Sequence, residues 1–287
     1  MKRVIGFIIA LASAPALVQA SDAYIPAPGT GNLYPVASLQ WATDFWFNDT
    51  PATLPGHLTQ TTVGADLEYG VAENVAVDLS LGFSMVNYQG GPVGGALVLT
   101  RDGQNTRHGM TDTRFGVSYR ILDEFQSINE AAPTITLRLG GIIRGTYDTG
   151  FLNAVSDGAN GVEAGVKFGK VFIGSSAGIY GDFAYRWLSS TIPDEWEVGL
   201  GVYKTWGKLT YSTGFREKHA VDGLDILGPG FTLAGFPDVK EINRSMELGV
   251  TWNFKPNSFI SLGYARTLEG ENTPKKNVIV TSMNINL

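Results

Sequence analysis

Three histidines and no cysteine limit the reactive chemistry of this 287-residue chain. Without a thiol there is no disulfide framework, no thiolate zinc site and no cysteine nucleophile. His57, His108 and His219 fall in loops or at strand ends by pattern, and none has a serine two residues on. A nucleophile and its base need such a shared face or a loop-built equivalent. No catalytic residue is therefore assigned, and the chain is not expected to be an enzyme. Gly90–Gly95 lacks the strand-to-helix setting of a phosphate loop. Asp157-Gly-Ala-Asn-Gly161 offers oxygen ligands but not the full pattern of a calcium loop. Neither metal nor cofactor is expected.

The charges are more informative, because they recur at alternate positions. Asp44, Asp66, Glu68 and Asp78 come first along the chain. Arg114, Arg120, Arg138, Arg144, Lys167 and Arg186 follow, and Asp112, Glu163, Asp182, Glu195, Glu197, Arg216 and Glu247 share their parity. All would point to one face. An acidic wall from the first four and a basic wall from the next six would set a transverse field that orients dipolar or anionic solutes. Three states of such an interior stay open: a diffusion channel, a substrate-gated path, and a closed interior filled by ion pairs.

The elements that carry these charges read as strands. Val75, Val77, Leu79, Leu81, Phe83 and Met85 interleave with Ala76, Asp78, Ser80, Gly82 and Ser84. Met246, Leu248, Val250, Trp252 and Phe254 alternate with polar or small residues likewise. Period two means one apolar and one polar face. Twelve such segments are predicted, over 36–47, 58–70, 75–88, 109–122, 133–147, 161–171, 176–188, 194–206, 208–216, 242–254, 258–268 and 277–287. Connections after even segments are mostly short, such as Val71–Asn74 and Gly207; those after odd ones are mostly long, notably Gln89–His108, Asp148–Asn160 and Glu217–Glu241. Short turns on one side and long loops on the other mark a transmembrane barrel. Aromatics near the segment ends, among them Tyr69, Tyr119 and Trp206 at one side and Phe45, Phe47, Tyr147 and Trp187 at the other, suggest two interfacial girdles.

Composition agrees. Charged residues make up only 17% of the chain and glycines number 36. The net charge of −6 argues against nucleic acid as a partner. Lys2 and Arg3, an apolar run from Val4 to Val18 and the small residues around Ala20 have the plan of a secretory signal peptide. The expected organisation is a signal peptide at 1–20, an N-terminal periplasmic segment at 21–35 and one barrel domain at 36–287. The fold class is all-β: a transmembrane antiparallel up-and-down β-barrel of about 12 strands with both termini periplasmic.

One loop is unusually apolar. Glu217–Glu241 carries Leu224, Ile226, Leu227, Phe231, Leu233 and Phe236 around Gly228-Pro229-Gly230. It is expected either to fold over the mouth as a vestibule for an apolar solute, or to pack against neighbouring loops or lipopolysaccharide.

Several stretches resemble a known family. Glu68-Tyr-Gly-Val-Ala-Glu-Asn-Val75, His108-Gly-Met-Thr-Asp-Thr-Arg-Phe-Gly-Val-Ser-Tyr-Arg120, Gly145-Thr-Tyr-Asp148 and Asp157–Glu163 are similar to segments of the meta-pathway phenol degradation family of outer-membrane transporters. Gly270–Pro274 matches more loosely. The resemblance implies an outer-membrane barrel that admits hydrophobic or aromatic compounds. It assigns no substrate residue.

The expected function is passive uptake of small molecules across the bacterial outer membrane, preferably hydrophobic or aromatic ones including aromatic carboxylates. The alternatives are a sealed structural or adhesive barrel and, third, an outer-membrane hydrolase. Expected partners are outer-membrane lipid, lipopolysaccharide, the barrel-assembly machinery and a small solute. The chain is expected as a monomer or loose homo-oligomer.

Overall fold

Alternation along the chain becomes antiparallel pairing in space. The computed structural model describes residues 23–90, 103–156, 158–189, 191–226, 228–231, 238–255 and 258–287. The signal peptide, the glycines after Gly90, Asp157, Leu227, Leu233 and Phe236 lie outside the described residues. The strands are β1 Gly31–Phe47, β2 Thr50–Ala72, β3 Val75–Gly90, β4 Thr106–Met110, β5 Thr113–Leu122, β6 Thr134–Ile143, β7 Gly161–Phe172, β8 Ala177–Leu188, β9 Glu195–Trp206, β10 Leu209–Ala220, β11 Ile242–Lys255, β12 Ser258–Glu271, β13 Asn277–Met283 and β14 Ile285–Asn286. β4 and β5 both pair with β3, and β13 and β14 both pair with β1, so fourteen segments form twelve staves. Val36 opposite Ser282 and Leu39 opposite Ile279 close the ring.

The burial pattern is inverted relative to a water-soluble protein. Leu39, Val63, Phe115, Leu139, Leu200 and Leu262 on the outer face are exposed, whereas Thr62, Ser84, Thr136, Thr210 and Thr251 inside are almost fully buried. Such a surface is stable only against lipid, and lipid requires a closed ladder with no unpaired edge. Tyr69, Tyr119, Trp187, Trp206 and Trp252 are exposed on the outer face, as interfacial aromatics would be.

Some strand limits differ from the predicted ones, for local reasons. β2 starts at Thr50 because the chain turns tightly at Asn48, where φ is 53°, and pairs Thr50 with Phe47 at once. Pro51 lies within that extension, opposite Trp46, although proline is disfavoured inside strands. β6 stops at Ile143, and Arg144–Tyr147 leave the wall: the Gly145 amide donates to Asp112 Oδ1 at 2.8 Å. Between Ala42, opposite Leu58, and Asp44, opposite Thr53, the register of β1 against β2 slips by three residues. Beyond this irregularity Phe45 turns inward and is buried, while Asp44 moves to the rim. Phe45 and Tyr147 are thus core residues of the mouth, not girdle residues.

β1 begins at Gly31, five residues before the predicted barrel boundary. Residues 23–30 run against the barrel end that carries the short turns. The Ala23 carbonyl accepts from Thr136 Oγ1 of β6 at 2.6 Å, the Tyr24 hydroxyl donates to Glu124, and the Gly29 amide donates to the Gly70 carbonyl of β2 at 2.8 Å. This segment therefore spans from β6 to β2 across one end of the barrel.

Candidate functional site

Inward-facing charges of β3 and β6 to β11 meet in a continuous network. Arg138 forks onto Asp78 and also holds Glu163. Arg186 binds Glu163 at 2.5 Å, Glu195 at 2.6 Å and Glu197 at 2.9 Å. Arg216 continues it to Glu197 at 2.7 Å, Asp182 at 3.1 Å and Glu247 at 2.9 Å. Lys218 then joins Glu195 at 2.7 Å and Glu241 at 3.6 Å. Guanidinium groups shared among several carboxylates suit a low-dielectric interior, where an unpaired charge would be costly.

This arrangement replaces the acidic and basic walls with an interlocked set. Asp78 and Arg138, expected on facing walls, are partners. Glu68 and Lys167 face inward, Glu68 in register with Asp78 and Lys167 with Asp182, and neither makes an ion pair among the described residues. Asp66 accepts from Ser80 Oγ at 2.5 Å. Arg120 lies at the turn end, on Asp123 at 3.2 Å and the Glu73 carbonyl at 3.0 Å. Arg144 has left the wall with its loop, its amide donating to Asn160 Oδ1. Asp44 serves the rim through Thr53. The two-wall reading undercounted Glu163, Asp182, Glu195 and Glu197, whose parity already marked them as inward.

Above the network lies a cavity of about 260 Å³, lined by residues of β1 to β3, β5, β9 and β10 and by the loops after β6, β8 and β10. Arg114, Glu195 and Lys218 line it and carry ion pairs of the network, so they form its floor. Its roof and upper walls are apolar: Phe45, Leu58, Val86, Phe151, Leu152, Val155 and Val239. A second cavity of about 80 Å³ shares Gln40, Lys218, Glu241 and Lys276 with the first and continues along Ala265 and Val278. There the wall of β12, β13 and β1 carries no network charge, and Val36, Ala265, Val278 and Val280 pack together.

Two loops cover the mouth. Leu152 and Val155 from the loop after β6 and Ile226 from the loop after β10 join Phe45, Leu58, Val86, Tyr88 and Tyr147 in one buried cluster, with Phe231 and Val239 packed against it. The loop 217–241 thus folds over the mouth and packs against its neighbour at once. Leu224 stands at its base, in a bridge to Val239. Phe151 is held by the Arg107 guanidinium, 3.2 Å above its ring.

Asn272, with φ 51°, ties three loops together. Its Oδ1 accepts from the Asn48 amide at 2.9 Å and the Ile226 amide at 3.2 Å, while its Nδ2 donates to the Lys240 carbonyl at 2.9 Å. Sequence reading missed this residue, because nothing in Gly-Glu-Asn-Thr-Pro reveals contacts with chain more than thirty residues away.

A closed antiparallel barrel of twelve staves, apolar outside and polar within, is a transmembrane barrel of the bacterial outer-membrane type. No protein-family model matches the sequence, and no curated protein matches it either. Among solved structures, an outer membrane channel from Pseudomonas putida F1 has the same fold at a TM-score of 0.70 and 13% identity, with 92% of this chain and 97% of that one covered. A deletion mutant of TodX, a monoaromatic hydrocarbon channel, aligns at 0.47 and 12% identity, covering 92% of each chain. The KdgM porin aligns at 0.40 and 8% identity, covering 88% of this chain and 97% of that one. The motif resemblance to the phenol-degradation family is therefore supported as far as an outer-membrane barrel.

Proposed function

We propose that the chain is a passive outer-membrane channel for small, poorly water-soluble molecules, aromatic compounds and aromatic carboxylates among them. The observation that carries this reading is the apolar-roofed cavity at the mouth, continued by a second cavity between Ala265 and Val278 on one side and Glu197 and Arg216 of the ion network on the other. A solute on this path meets the ion network along one side only and need not displace it, which would be costly. The solved channel from Pseudomonas putida F1 shows that this fold is used for a channel, and the motif resemblance supports hydrophobic or aromatic solutes. No catalytic step is proposed. His108 lies beside the Phe83 ring, and His219 stacks on Trp196 at 4.9 Å with Glu217 Oε1 3.6 Å from its Nδ1.

The test is uptake of radiolabelled toluene and benzoate by Gram-negative cells with and without the protein, at concentrations far below saturation. Several-fold faster uptake of either is expected. Equal rates would overturn the channel. The buried network and the segment at 23–30 favour a second reading, a sealed barrel acting through its loops, and equal uptake is what that reading requires.

A further inference from the structure

We infer that the mouth cavity is a binding site for one small amphipathic carboxylate, with the carboxylate on the Arg114 guanidinium and the apolar body under the loop roof. This deepens the channel reading and rests on it.

The interior bases are unequally engaged. Arg138 serves two carboxylates, and Arg186 and Arg216 serve three each. Arg114 differs. Among the described residues its only ion pair is with Glu163 at 3.9 Å, beyond hydrogen-bond distance, and that carboxylate already receives Arg138 and Arg186. A guanidinium has five N–H donors in a planar fork, and among the described residues none of those of Arg114 meets a protein acceptor at hydrogen-bond distance. The side chain is 21% exposed, and it lines the cavity.

The acids of the same cavity are already occupied. Asp112 accepts from the Gly145 amide at 2.8 Å, the Tyr147 hydroxyl at 2.5 Å and Ser156 Oγ at 3.2 Å. Asp66 accepts from Ser80, Glu195 holds Arg186 and Lys218, and Glu241 accepts from Thr273. The open valence of the site is thus a fork of donors, and the group that matches it with two parallel hydrogen bonds is a carboxylate.

Size and polarity set the rest of the ligand. An apolar cavity of about 150 Å³ is enough for benzene, so about 260 Å³ takes one ring bearing a carboxylate or a short acyl chain of similar bulk. Leu58, Val86, Phe151, Leu152, Val155 and Val239 supply the apolar contact. An apolar roof over converging polar groups suits a small molecule that has an apolar body and one charged end.

Equilibrium binding to the purified full-length protein in nanodiscs tests this, with benzoate, its neutral isostere benzamide, and benzylamine as probes. Benzoate should bind one per barrel and at least tenfold more tightly than benzamide. Arg114→Gln should bring benzoate down to the benzamide level while leaving benzamide unchanged, and Arg114→Lys should keep part of the preference. Heat-modifiable gel mobility checks that each variant is a folded barrel. On the wild type alone, benzamide or benzylamine binding as tightly as benzoate would overturn the site, as would no benzoate binding. A folded Arg114→Gln variant that kept the preference would do the same. Failures are separable: binding without cellular uptake sinks the channel reading and leaves the site, whereas uptake without Arg114-dependent binding sinks the site alone.

Discussion

The Arg138 guanidinium reaches from β6 across β5 to Asp78 on β3, with Nε to Oδ1 at 2.9 Å and Nη2 to Oδ2 at 2.6 Å. It passes over Gly116, where an added Cβ would stand 2.8 Å from Nη2. Arg216 passes over Gly199 in the same way, again with 2.8 Å to its Nη2. The missing side chains let two arginines lie flat against the wall and join carboxylates two strands apart. The interior charges therefore hold one another.

Removing Arg138 should be severe. Arg138→Gln leaves Asp78 and Glu163 short of a partner in a buried setting, at a cost of about 3–5 kcal/mol. Unfolding in urea, followed by the heat-modifiable gel shift, measures it. The double variant with Asp78→Asn should recover part of the loss, because one orphaned charge is gone. Gly116→Ala should cost about 1–3 kcal/mol by crowding the same guanidinium.

Asn272 should control the lid. Asn272→Ala strips the amides of Asn48 and Ile226 of their shared acceptor, a loss of about 1–3 kcal/mol for each buried group left unsatisfied. The expected results are faster proteolysis within 221–241 on intact cells and higher single-channel conductance in planar bilayers. An unchanged cleavage rate would show that the latch is redundant.

Ile226 is the buried anchor of that loop, 1% exposed in the mouth cluster. Ile226→Ala should cost the loop about 2–5 kcal/mol of its packing, the usual range for such a deletion. Hydrogen exchange should then rise in 221–231 while the strand amides stay protected.

Acid should loosen the loop from its base. Glu241 lies outside the strands; burial raises its carboxyl, but the ammonium groups of Lys218 and Lys276 and the Thr273 hydroxyl more than reverse this, against the like charge of Glu195, and hold it below the ordinary range. A group lowered in the folded state stabilises it above the unfolded value, about 4.3 for glutamate, and loses that contribution as pH falls through the folded one. Loop proteolysis should therefore be flat from about pH 8 to about pH 5 and rise below the unfolded value. Glu241→Gln should remove that rise.

Replacing His57, His108 and His219 together with alanine should leave solute uptake within about twofold of wild type. A loss of uptake in a folded triple variant would revive the catalytic alternative.

The strand number, the antiparallel order, the apolar outer face and the long-loop side were legible in the sequence. The reason is local: a period of two assigns each side chain to lipid or interior, and lipid tolerates few exceptions. The apolar character of the loop after β10 was legible for the same reason, since apolar residues in a connection need cover. What periodicity does not encode is who meets whom inside. It placed Asp78 and Arg138 on one face of their strands, but only the register of β3, β5 and β6 made them partners. It put Asp44 inside and Phe45 outside, and a register slip after Ala42 exchanged them. It grouped six bases as one wall, whereas the folded chain sends Arg120 to a turn and Arg144 to a loop, commits Arg138 and Arg186 to carboxylates, keeps Lys167 beside Asp182, and leaves Arg114 facing the cavity. Those distinctions depend on shear, register and loop paths, which join residues far apart in sequence, and tertiary structure alone decides them.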